Sequence, residues 1–301
     1  MLRIYLTLLV LLFSFTEVCS QPNPLNEISI GLKAYAMGKT SGISFIEANS
    51  IILNPSIINL KHETSFSVYY SNYADHQNTF NLAGYIPLKN IGNLAIAYQN
   101  LSVGNIPKVD QDGIKVSSFT AISEQATLAY SKSFFDQITF GICGKWYHSY
   151  FTLDELDYDY NRIGMDIGLS YDPQFDIEPL EGLSAGIVVY NLFISSDGTY
   201  KPKKEYRFIL EKFHQVDDFK LTGIANLYYY QTYPDDLYHR IQLGLNADYK
   251  NIDFSIGYYT NFYAAGIGFV YGKLNFGYVY GVHHSNNYHQ HNHGISIGVN
   301  F

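Results

Sequence analysis

Long segments of this sequence alternate apolar residues with small or polar ones at a period of two. In "NRIGMDIGLSY", Ile163, Met165, Ile167, Leu169 and Tyr171 fall on one side, with Arg162, Gly164, Asp166, Gly168 and Ser170 on the other. "RIQLGLNADYK" and "KLNFGYVYGVH" repeat the pattern. Successive strand side chains point to opposite faces, so each segment makes a strand with one apolar face. A soluble sandwich buries that face between sheets, whereas a transmembrane barrel turns it to lipid and lines its interior with polar and small residues. Three features favour the barrel. The segments run to about 10–14 residues, against roughly 5–6 in soluble sheets. Tyr and Phe cluster near their ends ("NLYYYQTY", "SVYYSNY"), where aromatic girdles meet headgroups. Charged residues are only 15% of the chain, too few for the surface of a soluble protein of 301 residues.

Composition excludes other classes. No uninterrupted apolar stretch approaches the ~18 residues of a membrane helix once the N-terminus is passed. The low charge argues against disorder. A net charge of −8 with 19 Lys+Arg leaves no basic surface, so nucleic acid is not an expected partner. At the N-terminus, Arg3, an apolar run from Ile4 to Phe15 and "TEVCSQ" read as a secretory signal peptide over 1–20, cleaved before Gln21. Its removal leaves Cys143 as the one cysteine, so no intrachain disulfide is expected.

The alternation predicts fourteen strands within 64–301, the even number expected of a bacterial single-chain barrel. Connections after even-numbered strands are mostly tight ("PLKN", "YKN", "YGK"), and those after odd-numbered strands tend to be long: 104–120, 153–161, 196–203 and 284–292. Short periplasmic turns and longer external loops produce that phase, which sets both termini in the periplasm. The closing strand alternates Ile295, Ile297 and Val299 with small or polar residues and ends on Phe301, a pattern expected to guide barrel assembly.

Residues 21–63 do not follow the barrel rhythm. Within "IGLKAYAMGKTSGISFIEANSIILNPSIINL", Gly31, Lys33, Met37, Gly38, Asn54 and Pro55 match the N-terminal segment of PorV/PorQ-like outer-membrane barrels, which are related to FadL-like transporters. Lys33 stands where Arg is usual, Lys39 where a second small residue is common, Ser56 replaces Ala, and "EAN" sits where acidic residues are typical. The resemblance continues through "RIGMDIGLSYDP" and "GLSAGIVVYNLF", including Lys145, Asp166 and Asn191, and through "HGISIGVNF". It implies a fourteen-stranded outer-membrane barrel whose N-terminal segment packs in or near the lumen. It further implies an accessory role in type IX-like secretion or surface attachment, with secretion subunits or exported cargo as partners beside membrane lipid and lipopolysaccharide. The alternative is a FadL-like channel for small hydrophobic molecules, with that segment as its hatch. Independently of any family, apolar residues such as Ile43, Ile51, Ile52, Leu53 and Ile57 argue for a plug over 21–63, and "NPSIINL" for a short helix led by Pro55.

Candidate chemistry is sparse. The tract "HHSNNYHQHNH" (283–293) has imidazoles that bind metal, but the default for an exposed loop is weak adventitious binding, so no metal or cofactor is assigned. "LDELDYDYN" reads as a solvated acidic loop. Lys145, Arg162, Asp166, Asp248 and Lys250 fall on faces expected to line the lumen, where they either tune a permeation path or fill the interior and fasten the plug. No nucleophile motif or phosphate-cradling glycine loop appears, so no enzyme is expected.

Overall fold

A computed structural model of the protein describes residues 31–43, 47–60, 63–73, 76–89, 91–110, 112–134, 137–153, 156–173, 180–196, 204–230, 241–285 and 288–301. The expected signal peptide (1–20) and the first ten residues of the N-terminal segment lie outside these. The first half of the barrel comprises β1 Ser65–Tyr73, β2 Gln77–Leu88, β3 Gly92–Val109, β4 Lys115–Phe134, β5 Ile138–Leu153, β6 Leu156–Tyr171 and β7 Leu183–Ser196. The second half is β8 Glu205–Val216, β9 Phe219–Tyr230, β10 Ile241–Tyr249, β11 Ile252–Tyr259, β12 Phe262–Tyr271, β13 Leu274–Ser285 and β14 Tyr288–Asn300. Each pairs antiparallel with its sequence neighbours. The sheet closes where β1 meets β14, from Ser65↔Asn300 to Tyr73↔Asn292. Closure satisfies every strand edge, which a sheet in hydrocarbon requires.

Alternation sets the two faces. On β10, Ile241, Leu243, Leu245 and Tyr249 point outward and are exposed, while Gln242, Gly244 and Asn246 point inward and are buried. The same outward apolar band runs around the wall, from Phe66 and Val68 on β1 to Ile295 and Ile297 on β14.

At the end expected to be external, several strands differ from the sequence-based expectation. β3 continues to Val109, β4 begins at Lys115, β6 at Leu156 and β14 at Tyr288, so the expected loops 104–120, 153–161 and 284–292 are largely strand. Beyond the bilayer both faces of a sheet are wet, so the apolar alternation that marks a strand is no longer required there. β3 and β4, at 18 and 20 residues, stand well above β10 and β11, at 9 and 8.

Inside the barrel, a one-turn helix α1 (Leu32–Ala36) and 3-10 turns at Ala48–Ile52 and Pro55–Leu60 pack against inward-facing wall residues. Met37, Ile43, Ile51, Ile52 and Leu53 share a buried cluster with Ala83, Tyr85, Val188 and Ile209 of the wall. Burying each such large aliphatic side chain is worth about 1.5–3 kcal/mol, enough to hold a segment with little regular structure of its own.

Candidate functional site

The site grows from two pairs of glycines on opposite sides of the wall. Gly141 on β5 pairs directly with Gly168 on β6, and Gly244 on β10 with Gly257 on β11. All four face inward, and each pair leaves a dent one side chain deep. Asn54–Pro55 fills the first: a Cβ on Gly141 would stand 2.2 Å from the Pro55 carbonyl carbon, and one on Gly168 would stand 2.8 Å from Asn54 Oδ1. Met37–Gly38 fills the second, where a Cβ on Gly257 would lie 1.9 Å from the Gly38 nitrogen. Gly38 itself has φ +73°, and a Cβ there would meet the Tyr258 backbone at 2.6 Å, so two backbones cross with no room for a side chain.

Polar bonds lock both docks. Asn54 Oδ1 accepts from the Ser56 N–H (3.1 Å) and hydroxyl (2.6 Å), an Asx turn that starts the Pro55–Leu60 turn. Ser56 Oγ lies 2.5 Å from Ser170 Oγ on β6. Ser56, which stands where the resembled family has Ala, thus has a wall partner in Ser170. At the other dock, Lys33 Nζ donates to Asp248 Oδ1 (3.1 Å), whose second oxygen accepts from Asn246 Nδ2 (2.7 Å). The Lys33 N–H reaches both Glu47 oxygens at 3.0 and 3.1 Å, joining the two halves of the segment, and the Ile43 N–H donates to Glu211 on β8.

Between the docks the wall carries a buried polar bulge. β6 and β7 pair regularly up to Met165↔Phe193 and resume at Ile167↔Val189, so three β7 residues stand opposite Asp166. Asn191 turns through φ +54°, a conformation asparagine tolerates better than most residues. Asp166 holds the bulge: Oδ1 accepts from the Asn191 N–H at 2.8 Å, and Oδ2 pairs with Lys145 from β5, both side chains wholly buried. Beside it the Tyr190 hydroxyl donates to the Leu53 carbonyl of the N-terminal segment, and the Lys145 ammonium sits 5.3 Å from the Tyr190 ring centre. The Arg207 guanidinium lies 4.1 Å from the Tyr228 ring centre and 5.0 Å from that of Tyr190.

Above the bulge, the inward face of the long β3–β6 ends carries apolar side chains around a Ser149–Ser123 hydrogen bond of 3.1 Å. Leu101, Val103 and Tyr147 form one cluster. Higher up, the Phe119 and Phe151 ring centres lie 5.5 Å apart, and Phe151 stacks on Tyr158 at 4.5 Å. Ile106, opposite Phe119 in the register, extends the wall toward the tip. The Tyr147 hydroxyl, 3.5 Å from Asn191 Oδ1, connects this wall to the bulge.

The expected site residues are distributed as follows. Gly31, Lys33, Met37, Gly38, Asn54 and Pro55 all lie in the internal segment. Gly31 precedes α1, where a Cβ would come within 2.5 Å of Glu47 Oε2. Lys145, Asp166 and Asp248 face inward as described, and Arg162 lies above them with its guanidinium 5.7 Å from the Tyr160 ring centre. Lys250 is a correction: it sits exposed in the β10–β11 turn at φ +54°, because β10 ends at Tyr249 and the lumen-facing parity ends with it. Ile295 and Ile297 face outward on β14. Val299 shares their face, and the Phe301 N–H closes the rim on the Thr64 carbonyl at 2.8 Å. Of the tract 283–293, residues 283–285 and 288–293 lie on β13 and β14. Its His291 and His293 face outward, hydrogen-bonded with Tyr280 and Tyr278. Among the described residues no group of His, Cys, Asp or Glu is arranged to hold a metal ion. Sequence reasoning missed the socket glycines, although "GICGK", "DIGLS", "QLGLN" and "FSIGY" each show a glycine at an inward position. It also placed Phe119 and Tyr158 in loops.

No family model matches this sequence, and no curated protein does. Solved structures do match its fold. The toluene transporter TodX of Pseudomonas putida has a TM-score of 0.59 at 11% identity, over 95% of this chain and 99% of that one. The toluene transporter TbuX of Ralstonia pickettii has 0.58 at 13%, over 90% and 98%. A deltaS2 mutant of the TodX monoaromatic hydrocarbon channel has 0.53 at 12%, over 90% and 97%. At such identities the likeness is one of architecture, and it extends over nearly the full length of both chains.

Proposed function

We propose that this chain is an outer-membrane channel of the FadL-like kind for small hydrophobic molecules, closed at rest by its own residues 31–60 acting as a plug. The observation that carries the reading is the apolar wall on the lumen face of the external extension. Leu101, Val103, Ile106, Phe119, Phe151 and Tyr158 line a surface that water-soluble solutes have no use for and that aromatic or aliphatic molecules leave water to join. The wall leads down through Tyr147 to Asn191 and Tyr190, whose bonds reach the plug. Likeness in fold to toluene and monoaromatic hydrocarbon transporters supports the same reading. On this reading the chain moves its ligand unchanged, and Cys143, Asp166 and Ser170 serve the wall and the plug.

An accessory role in type IX-like secretion rests on the motif resemblance alone, and the fold comparisons bring nothing to a PorV/PorQ-like assignment. One experiment separates the two. Labelled toluene uptake is measured in cells carrying the gene, its deletion, or the Phe119→Ala/Phe151→Ala variant. Transport predicts slow uptake on deletion and a several-fold loss in the variant at normal barrel levels. Equal uptake in all three strains, with exported proteins retained in the periplasm of the deletion strain, would reverse the assignment.

A further inference from the structure

The outward face of the barrel is not the same all round at its external edge. On β5, the ten positions 138–147 carry Ile138, Phe140, Ile142 and Trp146 outward before the first polar outward residue, His148. At about 3.3 Å per residue and a tilt of about 40°, that is roughly 25 Å, the height of a barrel's apolar band. His148 therefore stands at the outer headgroup level, and it belongs to a row. His148 Nδ1 lies 3.3 Å from Glu124 Oε2 on β4, and its Nε2 3.0 Å from Asp159 Oδ1 on β6, which also accepts from Asn161 Nδ2 at 3.1 Å. Glu124 accepts in turn from Tyr98 and, at 3.4 Å, from Asn100 on β3.

Separate outward polar clusters stand on the neighbouring strands. Asn78 Oδ1 on β2 accepts from Asn72 (3.1 Å) and Tyr70 (2.9 Å) on β1. Asn72 pairs in register with His293 on β14, and His293 and His291 bond to Tyr278 and Tyr280 of β13. Three outward hydrogen-bonded clusters, on β3–β6, β1–β2 and β13–β14, thus make a polar belt over eight adjacent strands. Among the described residues, the corresponding ends of β7–β10 and β12 carry Phe193, Phe208, Leu227, Tyr229, Ile241 and Tyr263, the ordinary aromatic and apolar girdle. The membrane boundary by itself does not ask for the belt, since among the described residues the other six strands meet that boundary without one.

We propose that this belt is a binding face for the saccharide headgroup of an outer-leaflet glycolipid. Its side chains are amides, imidazoles, carboxylates and tyrosine hydroxyls, and none of its described residues is Lys or Arg. Phosphate recognition calls for cationic forks or points of charge. Sugar hydroxyls, which donate and accept, match amides and carboxylates, and Trp146, Tyr150 and Tyr280 offer flat faces beside them. The inference needs the barrel to span an outer membrane in the orientation argued above, and it does not depend on what the barrel transports.

The protein supplies its own reporter. Trp146 is the sole tryptophan, faces outward, and stacks on His148 with ring centres 5.6 Å apart. The full chain is reconstituted in phosphatidylcholine vesicles containing increasing digalactosyl diacylglycerol or, separately, increasing phosphatidylglycerol, and Trp146 emission is followed. The expected result is a saturable change at low mole fraction of the glycolipid and none with phosphatidylglycerol. Asn100→Ala/Asn161→Ala should raise half-saturation at least tenfold, while Phe208→Ala on the apolar half leaves it unchanged. If the double variant does not insert, Glu124→Gln, which keeps size but puts an N–H donor in place of one accepting oxygen, should raise it several-fold. A linear response, an equal response to phosphatidylglycerol, or variants that titrate as the parent would overturn the proposal. So would chemical cross-links showing the belt covered by a second copy of the chain.

Discussion

The plug is fitted to its glycine sockets closely enough that one methyl group should dislodge it. In Gly257→Ala the new carbon would stand 1.9 Å from the Gly38 nitrogen and 2.0 Å from the Met37 carbonyl carbon, where ordinary contact begins at 3.4 Å. Relief requires a shift of about 1.5 Å by one backbone against another, with no rotamer to absorb it. Overpacking of that kind costs about 1–3 kcal/mol, and the absence of a flexible partner puts this case toward the upper value. Gly141→Ala drives its methyl into Pro55 in the same way, at 2.2 Å. Gly144→Ala is the control. It lies on the same strand, faces outward and meets nothing within 4 Å, so it reports the small entropic gain of replacing glycine, about 0.4–1 kcal/mol of the opposite sign.

Cys143 reads out the change. It is 1% exposed, belongs to the cluster that contains Ile51, Ile52 and Leu53, and is the one cysteine beyond the expected signal peptide, so Cys19→Ser makes it the sole thiol. Its alkylation by a small maleimide, in folded protein, requires the plug to lift. A cost of 1–3 kcal/mol multiplies the lifted population, and so the rate, by about 5–150. Gly141→Ala and Gly257→Ala should both show that acceleration while the barrel keeps its heat-modifiable mobility in gels, and Gly144→Ala should not. Gly257 is the more telling of the two, because it lies across the lumen from Cys143 and acts only if the segment moves as one body. Unchanged alkylation in both socket variants, or equal acceleration in the control, would refute the fit argued here.

Other consequences follow from single contacts. Asp166→Asn should lower stability to urea by about 3–5 kcal/mol, because it strands the buried Lys145 ammonium, and Lys145→Met/Asp166→Leu should recover much of the loss. Asn191→Gly should be tolerated, whereas Asn191→Val, β-branched at φ +54°, should cost about 1–3 kcal/mol in the same titration. Phe301→Ala removes an edge contact with Phe66, whose ring centre is 6.2 Å away, from an otherwise exposed ring; folded barrel should appear more slowly in pulse-chase, with the melting temperature of assembled protein nearly unchanged.

Where the chain is constrained by lipid, its structure was legible in the sequence. Alternation on "RIQLGLNADYK" or "KLNFGYVYGVH" is imposed by hydrocarbon on one side and a packed lumen on the other, and the strand number and turn phase followed from it. Legibility stopped where that constraint stops. Ser117 to Thr120 and Leu156 to Tyr160 are strand above the membrane, where neither face must be apolar, so they read as loop. The β7 bulge was hidden for another reason: "VVYNLFI" still looks like an unbroken buried strand, and only the carboxylate of Asp166, on a different strand, reveals why Asn191 leaves the ladder. Lys250 keeps the even parity of Asp248 but lies one residue past the end of β10, so its side chain stands exposed at the turn instead of in the lumen.

The two sockets also account for the form of the N-terminal segment. A chain that must lie across a barrel lumen without pairing as a strand needs fixed points on both walls, and each must admit backbone, since side chains there would hold it away. Met37–Gly38 and Asn54–Pro55 are such points, one made flat by a left-handed glycine and the other by an Asx turn leading into proline. The paired glycines opposite them are the complementary half of the same constraint. Lys33–Asp248 and Ser56–Ser170 then set the register at each end, and the Tyr190–Leu53 bond ties the span to the bulge. Because the bulge also touches Tyr147 beneath the apolar wall, material settling on that wall meets side chains one contact away from the plug. A plug held by two backbone docks and a few polar bonds is firm when all are made. On the proposed reading it yields as a unit when one dock is filled, as a closure must that opens without unfolding the barrel around it.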